Sequence, residues 1–123
     1  MKKDVIKLII PSKPDYISVV RLTSSAIANN IGLNIEDIED IKVSIAEACI
    51  NALNKSDEIY IQFEIEENRL IIKVDNVSPC EGDEVDLNNE IELGILIIKS
   101  LMDEVKFNGE GVEMIKYIED GNK

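Results

Sequence analysis

The chain has 123 residues, enough for one domain with a buried core, and 45% of its residues are hydrophobic. Its formal net charge of −12 argues against nucleic acid and against anionic membranes as direct partners, because both are bound through excess Lys and Arg. The absence of histidine excludes His-based catalytic triads, His-type zinc sites and phosphohistidine transfer. Cys49 and Cys80 lack metal-type or redox-type spacing, and no apolar run reaches the roughly 18 residues of a membrane span, so we expect a cytoplasmic protein.

The first half of the chain predicts a strand followed by two helices. A β-branched run from Asp4 to Ile10 stops at Pro11 and predicts the strand. From Pro14 onwards, apolar residues at helical spacing predict a helix that Gly32 ends, with these positions buried: Ile17, Val20, Leu22, Ala26, Ile27 and Ile31. Asn34 is placed to cap a second helix, whose predicted buried stripe is Ile38, Ile41, Ile45, Ala48, Cys49 and Ala52.

The second half predicts two hairpins separated by a loop and a helix. Strict alternation over 59–66 and 70–74, around a turn at 67–68, predicts a hairpin with one buried face. The polar, acidic stretch 76–90 predicts a loop. Residues 93–102 are apolar nearly all round and predict a buried helix, and 105–108 with 112–118 predict the second hairpin.

This order of elements predicts one domain over residues 1–123. Hairpins make neighbouring strands antiparallel, so we expect a mixed, mostly antiparallel sheet that is covered by helices on one face. The predicted fold class is therefore α+β, in the form of a two-layer α/β sandwich.

Glu47 and Asn51 are four residues apart on the second predicted helix, so their side chains point the same way. Together they offer a carboxylate and an amide oxygen to one point. That pair suits a Mg²⁺ ion and a carboxylate that orients an attacking hydroxyl, which makes a nucleotide site our hypothesis. The alternative is a polar helix face that only meets water, formed by Asp40, Ser44, Glu47, Asn51 and Asn54.

Residues 10–23, 38–52 and 101–105 resemble the anti-sigma factor serine kinases, a family of the GHKL ATPase superfamily with the histidine kinase-like fold. The resemblance covers almost the whole chain in the same element order. It implies a regulator that binds ATP or ADP with Mg²⁺, holds a sigma factor, and phosphorylates a serine of an anti-anti-sigma protein. Partner switching of this kind controls how much sigma factor is available for transcription. The resemblance also implies a homodimer made through the first strand and first helix.

The same resemblance implies roles for five residues. Glu47 is expected to be the catalytic carboxylate, and Asn51 the Mg²⁺ ligand. Asp75 matches the aspartate that recognises adenine. Gly94 matches the one glycine of the phosphate-binding loop that is kept in this chain, and Arg21 matches a residue that contacts the protein partner. Two alternatives without a functional role stay open. In one, Asp75 only begins a turn, where aspartate is common, and in the other, Arg21 only forms a surface ion pair, as surface arginines commonly do.

The glycines of the family are largely replaced in this chain. Asp75 is followed by Asn76 and Val77 where the family has Asp-x-Gly, and Glu90 and Glu92 lie where a glycine-rich loop would approach phosphate. Carboxylates that face a phosphate oppose its binding, whereas carboxylates that face water hardly affect it. The alternatives to a kinase are a degenerate interaction module that binds sigma factor or antagonist without ATP turnover, and a silent domain that acts through dimerisation.

Overall fold

The computed structural model describes residues 3–79 and 89–118. The elements follow the predicted order: β1 (Asp4–Pro11), a 3-10 turn (Pro14–Tyr16), α1 (Ile17–Asn30), α2 (Ile35–Ala52), β2 (Glu58–Ile65), β3 (Arg69–Asp75), α3 (Glu90–Leu101), β4 (Glu104–Phe107) and β5 (Gly111–Tyr117). Most of the predicted loop over 76–90 lies outside the described residues, as does Cys80. Within the described residues, no helix is long and apolar enough to cross a membrane.

The five strands form one sheet in the order β1-β2-β3-β5-β4, with β1 at an edge. The predicted α+β class with a mostly antiparallel sheet is confirmed, and all four described pairings are antiparallel, without the parallel pair that a mixed sheet would add. The physical reason is the last hairpin. After α3 the chain returns as β4 at the far edge, and β5 then turns back to pair between β4 and β3. Strands that run in the same direction are thereby kept apart.

Gly111 allows β5 to approach β3 closely. It pairs with Asp75 across the ladder. A Cβ added at this glycine would lie 2.1 Å from the carbonyl oxygen of Val74, which is far inside van der Waals contact. The sheet beside Asp75 therefore requires a residue without a side chain at this position.

The core lies between the helices and one face of the sheet. The apolar stripe of α2 is buried as predicted except at Ile38, which is half-buried, and it packs against strand residues such as Phe63, Ile72 and Met114. Burying each such side chain stabilises the fold by roughly 1.5–3 kcal/mol. The predicted cap of α2 is confirmed, because Asn34 Oδ1 accepts a hydrogen bond from the Asp37 N–H at 2.8 Å.

The buried faces of the flanking helices differ in part from those predicted. On α1, Ile17, Val20 and Ile27 are buried as predicted. Leu22 is 68% exposed and Ala26 is exposed, while Ser24 is fully buried. On α3, Leu93 and Leu96 are exposed, so the expectation of a helix buried all round is wrong. Both helices pack against α2, which lies between them, and their outer sides have no helical neighbour among the described elements.

Candidate functional site

Glu47 lies on the side of α2 that faces α3. A Cβ placed on Gly94 would come within 2.6 Å of Glu47 Oε1, so the carboxylate packs directly against the α3 backbone at this glycine. Glu47 is half-buried and Gly94 is buried. The structure thus brings two of the predicted site residues into contact, and Gly94 provides the space that the Glu47 side chain occupies.

The pKa of Glu47 lies above the ordinary value of a glutamate. Burial is the larger cause, and the negative charge of Glu90 in the first turn of α3 adds to it. The charge of Glu90 therefore reaches the site, which the sequence left open. A carboxylate with a raised pKa is a stronger base towards a hydroxyl. The negative charge of Glu90 also opposes the binding of a phosphate group beside Glu47.

Asn89 caps the N-terminus of α3. Its Oδ1 accepts hydrogen bonds from the backbone N–H groups of Ile91, at 2.9 Å, and Glu92, at 3.3 Å. These are among the donors that a helix N-terminus can offer to an anion. A phosphate at this helix end therefore has to displace the Asn89 side chain or find other donors.

Asn51 lies one turn beyond Glu47, but its side chain is engaged and only 3% of the residue is exposed. Its Nδ2 donates to the carbonyl oxygen of Ser78 at 3.0 Å, and its Oδ1 accepts from the Ser78 N–H at 3.1 Å. The same Oδ1 accepts from the ammonium group of Lys55 at 2.8 Å. We call Asn51, Lys55 and Ser78 the α2 clasp. It fastens the end of α2 to the segment that follows β3, where Val77 is 4% exposed and part of the core.

The α2 clasp does not fit a divalent cation at Asn51. An amide oxygen has two lone pairs, and both are used by Ser78 and Lys55. A Mg²⁺ ion, at its usual distance of roughly 2.1 Å from oxygen, would also be repelled by the ammonium group. Among the described residues, no group of three or more His, Cys, Asp or Glu could hold a metal ion. The Mg²⁺ role of Asn51 remains a prediction, one that this arrangement of its neighbours does not favour.

Asp75 is directed away from the layer that carries Glu47. Alternation along β3 turns Val74 into the core and Asp75 to the open face of the sheet. On that face it borders a concavity of about 240 Å³ that is also lined by Lys7, Ile9, Tyr60, Ile61, Gln62 and Lys73. The adenine-reading role of Asp75 therefore stays a prediction, and the structure does not bring this residue together with Glu47 and Gly94.

Arg21 lies on the exposed side of α1. Two exposed apolar residues are its close neighbours in sequence, Val19 with 42% and Leu22 with 68% of its surface accessible. Within residues 3–79 and 89–118, no carboxylate lies within 4 Å of its guanidinium, so the surface ion pair has no partner there. A cation beside exposed apolar side chains is typical of a protein-interaction surface.

Sequence reasoning missed two members of the α2 clasp. Lys55 continues the spacing of four residues that relates Glu47 to Asn51, and this signal was present in the sequence. Ser78 carried no comparable signal, because Asn51 contacts only its backbone atoms.

Comparison with known proteins agrees with this fold. Residues 10–116 match the histidine kinase-like ATPase domain. The chain belongs to that family, among the anti-sigma factor serine kinases that its sequence resembles. Membership of an ATPase family implies ATP as the ligand of the domain.

Several bacterial proteins named serine-protein kinase RsbW are similar to this chain over most of its length. Identity is 33% to that of Bacillus subtilis, with 94% of this chain and 86% of the relative covered. It is 36% to that of Oceanobacillus iheyensis (94% and 87%) and 34% to that of Staphylococcus aureus (95% and 89%). These matches extend over 138–141 residues, more than the 123 of this chain, so the relatives contain residues that have no counterpart here.

Proposed function

We propose that this protein is an anti-sigma regulator with serine kinase activity. It binds ATP between α2 and α3 and transfers a phosphoryl group to a serine of an anti-anti-sigma protein, which changes the partner it holds. The observation that carries the proposal is the half-buried Glu47 carboxylate with its raised pKa, packed against Gly94 in a chain of this family.

In this proposal Glu47 orients the serine hydroxyl and accepts its proton while the oxygen attacks the terminal phosphorus of ATP. The bond from that phosphorus to the bridging oxygen breaks, and ADP leaves. Phosphoryl transfer depends mainly on positioning and on stabilising charge, and a carboxylate placed at the serine hydroxyl supplies the positioning. Because Gly94 has no side chain, the Glu47 carboxylate can occupy the space beside α3. No step is assigned to Mg²⁺, because the α2 clasp leaves it no place at Asn51.

The proposed protein partners are a sigma factor and an anti-anti-sigma protein, and α1 is the surface we assign to them. Arg21 supplies a charge there, and Leu22 supplies exposed apolar area. We also propose a homodimer that forms through β1 and α1. In support, β1 is an edge strand with unpaired backbone groups along one side, and Val5 and Ile9 are exposed on it.

Phosphate transfer from labelled ATP to a candidate antagonist protein tests the proposal. Replacing Glu47 by Gln keeps the shape of the side chain and removes the base, so the rate should fall by about a hundredfold or more. Glu39→Gln is the matched control, because Glu39 is an exposed carboxylate on the same helix whose ion-pair partner, among the described residues, is Lys42. Equal rates for the wild type and Glu47→Gln would rule out the proposed role.

A non-catalytic interaction module is the second candidate. It is favoured by the two contacts that occupy the expected ligand groups, namely the α2 clasp and the Asn89 cap. Isothermal titration with a sigma factor or an antagonist separates the two candidates. A module without turnover would bind its partner with the same affinity in the presence and absence of ATP, and it would transfer no phosphate.

A further inference from the structure

Lys55 carries a positive charge that the described part of the chain does not neutralise. Within residues 3–79 and 89–118, no carboxylate lies within 4 Å of its ammonium group, although the protein has a formal net charge of −12. Its two hydrogen-bond acceptors are neutral, Asn51 Oδ1 at 2.8 Å and Ser78 Oγ at 3.0 Å. A cation held by neutral groups alone is suited to receive an anion.

The turn after α2 holds Lys55 in this position. Helix α2 ends at Ala52, and Asn54 then adopts a left-handed backbone conformation with φ of 66°. The Lys55 N–H returns to the carbonyl oxygen of Ala52 at 3.4 Å. The turn thereby directs the side chain back along the helix to Asn51, where the family resemblance expects the metal ion.

One donor of Lys55 remains available for a ligand. An ammonium group has three N–H donors, and Asn51 and Ser78 use two of them. The side chain also borders an open concavity of about 480 Å³ whose other lining residues are Ser12, Lys13, Asn54, Ser56 and Asp57. Burial lowers the pKa of Lys55, and a bound anion would reverse part of that shift.

We propose that the ammonium group of Lys55 takes the place of the divalent cation in this chain, so that the phosphates of the nucleotide bind Lys55 and binding needs no Mg²⁺. This inference rests on the nucleotide site of the proposed function. The single charge and the directional donor of Lys55 replace the charge of the metal, and Asn51 positions Lys55 instead of coordinating an ion.

Binding of ADP to the full chain, measured by calorimetry with excess Mg²⁺ and again with EDTA, tests the inference. For the wild type we expect the two dissociation constants to agree within about twofold, because the chain supplies the cation. Lys55→Met should weaken binding in EDTA by about tenfold or more, which is the loss expected for a charge-assisted hydrogen bond. Excess Mg²⁺ should restore part of the affinity of that variant.

The matched control is Lys42→Met. It removes the same charge from α2, the helix that precedes the Lys55 turn, at a residue that pairs with Glu39, and it should bind ADP like the wild type. Thermal unfolding of both variants shows whether each is folded. An equal loss of ADP affinity in Lys42→Met and Lys55→Met would overturn the inference, because the effect would then follow total charge.

A second readout follows the metal directly. In the ADP complex, Mn²⁺ should broaden the NMR signals of the Asn51 side-chain amide only in Lys55→Met. Wild-type binding that is lost in EDTA, or broadening of Asn51 in the wild type, would overturn the inference and leave the proposed nucleotide site standing. Absence of ADP binding under every condition would overturn both, so the two failures are distinguishable.

Discussion

Glu47 and Gly94 form the contact on which the proposed chemistry depends. The sequence predicted a role for each residue, but through different reasoning, since Gly94 was expected to serve a phosphate loop. Their contact joins two helices that are more than forty positions apart in the chain, which the periodicity of a single helix cannot reveal. The charge of Glu90 near Glu47 was likewise inaccessible, because the rotation of α3 decides which way its first turn points.

Replacing Gly94 by Ala should separate positioning from stability. The new Cβ would meet Glu47 Oε1 at 2.6 Å, and the flexible carboxylate can move away at little cost. We expect phosphate transfer to fall by about tenfold or more, because small displacements of catalytic groups are costly, while the melting temperature changes little. Ser100→Ala on the exposed side of α3 is the control. A large loss of stability with normal transfer by the remaining folded protein would contradict this explanation.

Replacing Glu90 by Gln should lower the pKa of Glu47 and strengthen the binding of ATP. Loss of the charge removes one cause of the raised pKa of Glu47, so that pKa should fall and the carboxylate should stay ionised to lower pH. The acidic limb of the transfer rate should shift to lower pH. ATP affinity should rise by about threefold, the size expected for one partly exposed charge. Glu110→Gln, in the exposed turn between β4 and β5, should change neither quantity.

At the scale of elements, local patterns predicted most of the fold. The apolar stripe and Asn34 cap of α2, the alternation of β2 and β3, and the glycine that follows α1, Gly32, lie within short stretches of sequence. The buried faces of α1 and α3 were predicted less well, because the neighbours of those helices are distant in the chain. The antiparallel insertion of β5 beside β3 depends on pairing partners and has no local pattern either.

The Asn89 cap gives a test at this scale. Asn89→Ala removes the acceptor for the N–H groups of Ile91 and Glu92 and should destabilise the protein by about 1 kcal/mol in urea unfolding. Asn89→Asp keeps an acceptor and adds a negative charge at the positive end of the helix, so it should be as stable as the wild type or more so. Equal stability of Asn89→Ala and the wild type would mean that the cap contributes nothing.

At the scale of the whole molecule, the open face of the sheet carries a cluster of paired charges. On the open face, Glu64 is only 4% exposed and meets Lys73 at 2.7 Å and Lys3 at 2.9 Å. Composition gave the total charge of the chain, but only the strand register brings these ions together, since Gln62 pairs with Lys73 and Glu64 with Ile71. The cluster connects β2 and β3 with Lys3, the residue just before β1, across the face that the helices leave open.

Glu64 should make stability depend on pH. The Lys73 hydrogen bond is the main cause that lowers its pKa to about 2, below the value in the unfolded chain. The stability that ionised Glu64 contributes is therefore complete above its pKa in the unfolded chain, and it is lost as pH falls towards its pKa in the folded protein. In urea unfolding, Glu64→Gln should be less stable than the wild type by about 1–3 kcal/mol at pH 7. That difference should shrink steadily below about pH 5. A difference that is independent of pH would contradict the assignment.

A crystal structure of the full chain with a non-hydrolysable ATP analogue measures most directly where the nucleotide binds. We expect the triphosphate in the space between α2 and α3, with its terminal phosphate beside the Glu47–Gly94 contact. An analogue bound instead in the open-face concavity beside Tyr60 and Asp75, or a chain that stays empty at saturating analogue, would contradict the proposed kinase site.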